Sequence, residues 1–215
     1  LNGMRKGLLY VVSGPSGAGK TTVMEKVLQW EGENLVFSVS YTTRKPRLTE
    51  TNGIQYNFID RGQFDQLIAQ GDFLEYAEVH GNYYGTSRSF VCPRLEKGQD
   101  VLLDIDVQGA LNVRKAMPEA VLIFLAPPSL RELATRLRKR ATEKKEEVRK
   151  RLDDSKWEMS HIRDFQYLIV NRSIDLAARE LEAIIEAYRC LVTSREEEIR
   201  SFEEEMDDFI IESEE

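Results

Sequence analysis

The stretch Gly14-Pro15-Ser16-Gly17-Ala18-Gly19-Lys20-Thr21 follows an apolar run at residues 8–12 and precedes an amphipathic segment beginning at Thr22. Its pattern is Gly, four residues, then Gly-Lys-Thr, in the strand-then-helix context that a phosphate-binding loop needs. Glycines let the backbone curl so that successive N–H groups turn inward. The first turn of the next helix adds unpaired N–H groups and a positive dipole end. Polyphosphate is the anion that fits such a nest. Lys20 reaches the outermost phosphates, and the Thr21 hydroxyl is placed to ligate a magnesium ion bridging them.

A chain of 215 residues with 41% hydrophobic content suits one sizeable domain with small inserted lobes. No apolar run approaches the roughly 20 residues that span a bilayer, and the first residues do not read as a secretion signal, so a cytoplasmic protein without membrane contact is expected. Cys92 and Cys190 lack the paired spacing of a zinc site and are expected to be reduced; His80 and His161 alone make no metal cluster. The net charge of −7 is uneven: residues 195–215 carry eleven acids against two bases, a balance of −9, which leaves the remainder at +2. A mildly basic body suits small anionic substrates better than a nucleic-acid groove. The acidic tail reads as a solvated helix end, although Phe202, Met206, Phe209 and Ile210 recur at helical spacing and leave a docked helix or partner contact open.

Along the chain, strands are expected at residues 7–12, 36–39, 56–59, 73–79, 101–105, 121–125 and 167–170. Helices are expected at residues 22–30, 61–70, about 130–140 and 174–192, the last with Leu176, Leu181, Ile184, Ile185 and Tyr188 inward. Asn52-Gly53 signals a hairpin, and Gly81-Asn82-Tyr83-Tyr84-Gly85-Thr86 reads as a turn. Short strands crowd residues 40–93, whereas strand and helix alternate on either side, so a small mixed lobe inserted into a parallel-sheet core is expected. Asp104 and Asp106 end an apolar strand, where ligands of parallel sheets sit, and Asp104 could hold magnesium directly or through water. The heavily charged segment 127–160 is either a solvated helical hairpin or a lid whose arginines close over a triphosphate. No Asn-Lys-x-Asp base-reading motif of a GTPase is present, which favours a small-molecule kinase.

The phosphate loop, Ser38-Val39-Ser40-Tyr41-Thr42-Thr43-Arg44-Lys45-Pro46-Arg47, Gly81-Asn82-Tyr83-Tyr84-Gly85-Thr86 and Leu103-Asp104-Ile105-Asp106-Val107-Gln108-Gly109 together resemble the guanylate kinase family over about residues 7–190. The resemblance implies an α/β P-loop fold of three layers with a central parallel sheet, a small mixed α/β lobe that binds the nucleoside monophosphate, and a helical lid. Its parts would be a core (1–39, 94–126, 161–194), a GMP lobe (40–93), a lid (127–160) and an acidic extension (195–215). It implies transfer of the ATP γ-phosphoryl group to GMP, and to dGMP, with Mg2+, in a monomer or homodimer.

By the same resemblance, ATP is expected on Gly14, Ser16, Gly17, Ala18, Gly19, Lys20, Thr21 and Thr22, and magnesium at Thr21 and Asp104. GMP is expected on Ser40, Arg44, Arg47, Tyr56, Glu75, Tyr84, Thr86 and Asp106, with Glu75 reading the base. A carboxylate matches the adjacent N1–H and 2-amino donors of guanine. Arg44 and Arg47 suit the acceptor phosphate, while Asp106 could meet sugar, base or water. Lys20, Arg44, Arg136, Arg140 and Arg151 would neutralise charge during transfer. The chain departs from the family pattern at Ala141, where many members have glycine, at Arg172, where an acid is frequent, and at Leu48-Thr49 in a usual Ala-Gly-Glu stretch. A guanylate-kinase-like scaffold that binds peptides, and a kinase for another acceptor, are the competing readings.

Overall fold

The computed structural model describes residues 5–79, 81–139 and 145–214. In chain order the elements are β1 (Leu9–Ser13), α1 (Lys20–Glu31), β2 (Leu35–Phe37), β3 (Tyr41–Thr42), β4 (Asn57–Phe58), α2 (Arg61–Ala69), β5 (Phe73–Val79) and β6 (Asn82–Ser87). Then come α3 (Arg88–Glu96), β7 (Asp100–Asp104), α4 (Val107–Ala116), β8 (Val121–Ala126), α5 (Leu130–Lys139), α6 (Lys145–Ser160), β9 (Tyr167–Val170), α7 (Ile174–Arg189) and α8 (Glu196–Glu214).

Strands β2-β7-β1-β8-β9, in that spatial order, form a five-stranded parallel sheet. Their apolar runs are long because both faces are covered. The two-residue period of β1 sends Tyr10 and Val12 into a cluster with Val23, Met24 and Val27 of α1 and Ala178, Leu181 and Ile185 of α7. Leu9 and Val11 point the other way, onto Val91 and Leu95 of α3 and Ala110 and Val113 of α4. The result is the three-layer α/β arrangement that the sequence implied. The phosphate loop leaves β1 at the carboxyl edge of this sheet, and Val12 lies in register with Asp104 on β7, which brings the acid beside the loop.

A second, mixed sheet has the order β4-β3-β6-β5. Two readings of this region are corrected. Residues 81–86 are not a turn: only Gly81 turns, at φ 76°, and Asn82–Ser87 is a strand antiparallel to both β3 and β5. Gly85 is in that strand because a Cβ there would come within 2.7 Å of the Phe73 ring, so it marks a close approach rather than a bend. Asn52-Gly53 does not make a hairpin either, since β3 and β4 run parallel. It folds the connecting loop back instead, with Gly53 N donating to Tyr56 O at 2.8 Å and Phe58 N donating to Asn52 Oδ1 at 2.8 Å.

Helix α3 packs on β7 of the main sheet and on β5 and β6 of the small one, so a division at 93/94 falls inside a helix. Helix α7 ends at Arg189, short of 192, and Leu176 is 58% exposed: Ala177 and Ala178 are the buried residues of that turn. Cys92 and Cys190 are both free thiols, and His161 pairs with Asp164 at 2.8 Å; His80 lies outside the described residues. No helix among the described residues is long and apolar enough to cross a membrane.

Candidate active site

The phosphate loop takes its shape from three glycines in left-handed or otherwise positive-φ backbone, Gly14 at 137°, Gly17 at 89° and Gly19 at 97°. It is clamped on both sides: a Cβ on Gly14 would lie 2.2 Å from Leu125 O, and one on Gly19 would lie 2.4 Å from Asn171 Nδ2. Helix α1 begins at Lys20 with no side-chain cap, so its first N–H groups remain directed at whatever anion enters. Lys20 Nζ donates to Gly14 O at 2.6 Å and stands 3.8 Å from Asp104 Oδ1. Burial pushes the Asp104 carboxyl up, and the Lys20 ammonium pulls it back. Asn171, just past the end of β9, fixes the loop, its Nδ2 donating to the Ala18 O at 2.7 Å.

A cleft of about 750 Å³ lies between the loop and the small sheet, lined by Gly14, Ser16, Gly17, Gly19, Lys20, Thr21, Thr22 and Asp104 together with Ser40, Arg44, Arg47, Tyr56, Tyr84 and Asp106. Ala18 is fully buried beneath the loop. The Arg44 guanidinium forks onto Glu50 at 2.8 and 3.0 Å, and Glu50 also accepts from Arg47 N at 2.7 Å. That pairing holds the Glu50 carboxyl below its usual range and raises Arg44, which keeps its charge while stacked near the rings of Tyr56 and Phe58. Tyr56 and Tyr84 meet edge to face at 5.8 Å, and burial, with the nearby Asp104 charge, pushes the Tyr56 hydroxyl up to about 12. The Tyr56 phenol therefore stays a protonated donor at neutral pH.

Glu75 and Thr86 sit side by side on β5 and β6, with Thr86 Oγ1 donating to Glu75 Oε1 at 2.8 Å. They do not belong to the cleft lining but lie buried, Glu75 only 6% exposed, with its Oε2 3.1 Å from where a Gly109 Cβ would be. Burial pushes this carboxyl up to about 7, opposed by the Thr86 hydrogen bond and assisted by the Asp106 charge. Asp106 has a task of its own: it caps α4, accepting from Gln108 N at 2.8 Å and Gly109 N at 3.1 Å. It still reaches the cleft wall.

The family model for guanylate kinase matches residues 6–188. The chain belongs to the guanylate kinase family. A guanylate kinase of Thermotoga maritima is 45% identical over 201 residues, covering 94% of this chain and 97% of that protein. One of Clostridioides difficile is 47% identical, covering 85% and 88%. The crystal structure of guanylate kinase from Anaplasma phagocytophilum superposes with a TM-score of 0.75 at 35% identity, over 88% of this chain and 90% of that one.

Two further residues expected of a guanylate kinase site, Arg136 and Arg151, stand away from the cleft. Arg136 is held along α5 by Glu132 at 3.1 Å, and neither it nor Arg151 lines the cavity. Arg140, with the Ala141 departure, lies outside the described residues. In their place α6 contributes Glu158, an acid that sequence reading missed. No spacing rule separates it from the other charged residues of that helix.

Proposed function

We propose that this guanylate kinase cleft performs magnesium-dependent transfer of the ATP γ-phosphoryl group to GMP, and also to dGMP, giving ADP and GDP. The observation that carries the reading is the opposition, across one cleft, of an uncapped phosphate loop with Lys20 and a wall of Arg44, Arg47, Tyr56 and Tyr84. The loop takes the donor, and Lys20 exchanges Gly14 O for the outer phosphates. Arg44, positioned by Glu50, and Arg47 take the acceptor phosphate, with the two tyrosine hydroxyls adding donors without charge. Glu75 reads guanine through N1–H and the 2-amino group, and Ser40 and Thr86 complete the base contacts. Adenine would set an acceptor against the acid and leave buried polar groups unpaired.

The oxygen donors Thr21 and Asp104 share the cleft wall with Lys20, a set that fits magnesium, and these two residues would hold it. Bound there, the ion supplies positive charge to the transferring phosphoryl group. Transfer needs no strong base, because the attacking phosphate is already anionic; alignment and charge neutralisation do most of it. The residues 127–160 act as a lid that brings Arg136, Arg140 and Arg151 to the donor and excludes water, while 40–93 moves as the GMP lobe. A cytoplasmic location fits such a reaction.

The test is ADP release with magnesium and ATP against GMP, dGMP, AMP, UMP and CMP. Strong preference for GMP, with dGMP accepted, is expected. Equal rates with all five would overturn base reading, and no acceptor-dependent ADP would favour a peptide-binding scaffold.

A further inference from the structure

Among the described residues of 127–160, Glu158 alone lines the cleft. It projects from the last turn of α6, which packs against α5, and is half-buried. The sign of its charge is opposite to that expected of a lid. The charged groups acting on it are Lys20, Asp106 and, one turn back on α6, Asp154, and Asp104 lines the same cleft. Among the described residues its carboxylate accepts no hydrogen bond, so Lys20 is the one attractive group of those acting on it.

Resting on the phosphoryl-transfer reading above, we propose that Glu158 is a positioning residue that couples the lid to the donor site through Lys20. The Lys20 ammonium bonds to Gly14 O, stands 3.8 Å from Asp104 and lines the same cleft as the Glu158 carboxylate, whose longer-range attraction to it favours keeping the end of α6 at the cleft. A polyphosphate entering the loop draws Lys20 to itself and brings its own negative charge toward Glu158. The carboxylate then loses its attraction and gains a repulsion, so the last turn of α6 must shift when the donor binds. Burial already pushes the Glu158 carboxyl up to about 7, with Lys20 pulling it back and Asp106 and Asp154 pushing it further, as a half-buried acid among other acids should behave. Because a bound donor competes with this acid for the Lys20 charge and repels it across the cleft, Glu158 lowers ground-state affinity and makes lid position report donor occupancy.

Trp157, exposed on α6 beside Glu158 and 4.6 Å from the His161 ring, is a built-in reporter of that turn. Trp30 on α1 is the other tryptophan and is replaced in the Trp30→Phe variant, leaving a single emitter. Inorganic tripolyphosphate, without nucleoside, acceptor or metal, is expected to change Trp157 emission with saturation. An unchanged signal overturns the proposal, and this arm does not depend on any substitution at position 158. In the same background Glu158→Gln, checked for native circular dichroism, is expected to bind tripolyphosphate about tenfold more tightly and to lose most of the emission change. Unchanged or weaker binding, or an intact response, overturns it. A weakening seen only when magnesium is added also overturns it, since the acid would then serve the metal and not Lys20. GMP-dependent ADP release by the same preparation separates failure of this coupling from failure of the phosphoryl-transfer reading.

Discussion

The Glu75 carboxyl has to be an anion to accept from two guanine donors, yet burial lifts it to about 7. Guanosine, which lacks a titrating phosphate, is expected to lose affinity by about tenfold per pH unit below 7, and calorimetry at several pH values checks this. The same shift acts on stability. An acid raised from 4.5 to about 7 holds more protons folded than unfolded between those values, so its contribution falls as pH rises through that window and is lost above 7. The ligand-free protein should therefore melt at a higher temperature near pH 5 than near pH 8, and Glu75→Gln should flatten that difference, apart from the part due to Glu158. Lys20→Met is expected to keep the fold, because among the described residues Lys20 bonds only within its own loop and to Asp104, and to lose several orders of magnitude in kcat. Lys20 was legible in the sequence because the loop motif fixes its place. Glu158 was not, because which helix face meets the cleft depends on how α6 packs.

At the scale of elements, the strand-loop-helix proposed to bind phosphate was readable because three glycines, an apolar run and a lysine all specify one local shape. Strand β6 was misread because Gly81 and Gly85 look alike in sequence while doing different things, one turning the chain and the other admitting Phe73. Gly85→Ala would force a methyl against that ring, at an expected cost of about 1–3 kcal/mol. A lower melting temperature should come with a raised KM for GMP, since Tyr84 and Thr86 flank the site of the clash. The Asn52-Gly53 pair misled for a similar reason: turn chemistry was right, but only tertiary pairing decides whether the flanking strands run parallel or antiparallel.

For the whole molecule, the three-layer core was legible from alternating apolar strands and helices, but the contacts that lock its amino-terminal edge were not. The buried Asp100 accepts from Arg5, from Leu8 N and from Arg189, which also pairs with Glu31 and Glu186. These partners are as far as 95 residues apart in the chain, so no local pattern signals them. Asp100→Asn should leave two guanidiniums short of charge and cost about 3–5 kcal/mol, read as lower denaturant tolerance with kcat little changed. Helix α8 lies past the family match, and Phe202 and Met206 on it are 65% and 56% exposed; the side chains of Phe209 and Ile210 lie outside the description. Removal of 195–215 is expected to leave GMP-dependent turnover within about twofold, because none of the described residues of that stretch lines the cleft. The central claim is that one buried acid in the small sheet chooses the acceptor while the glycine loop holds the donor. Its most direct test is the ratio of kcat/KM for GMP over AMP in the unaltered chain and in Glu75→Gln. A ratio of about 10⁴ or more that collapses by at least about a hundredfold on substitution is expected. A ratio that survives the loss of the acid would contradict it.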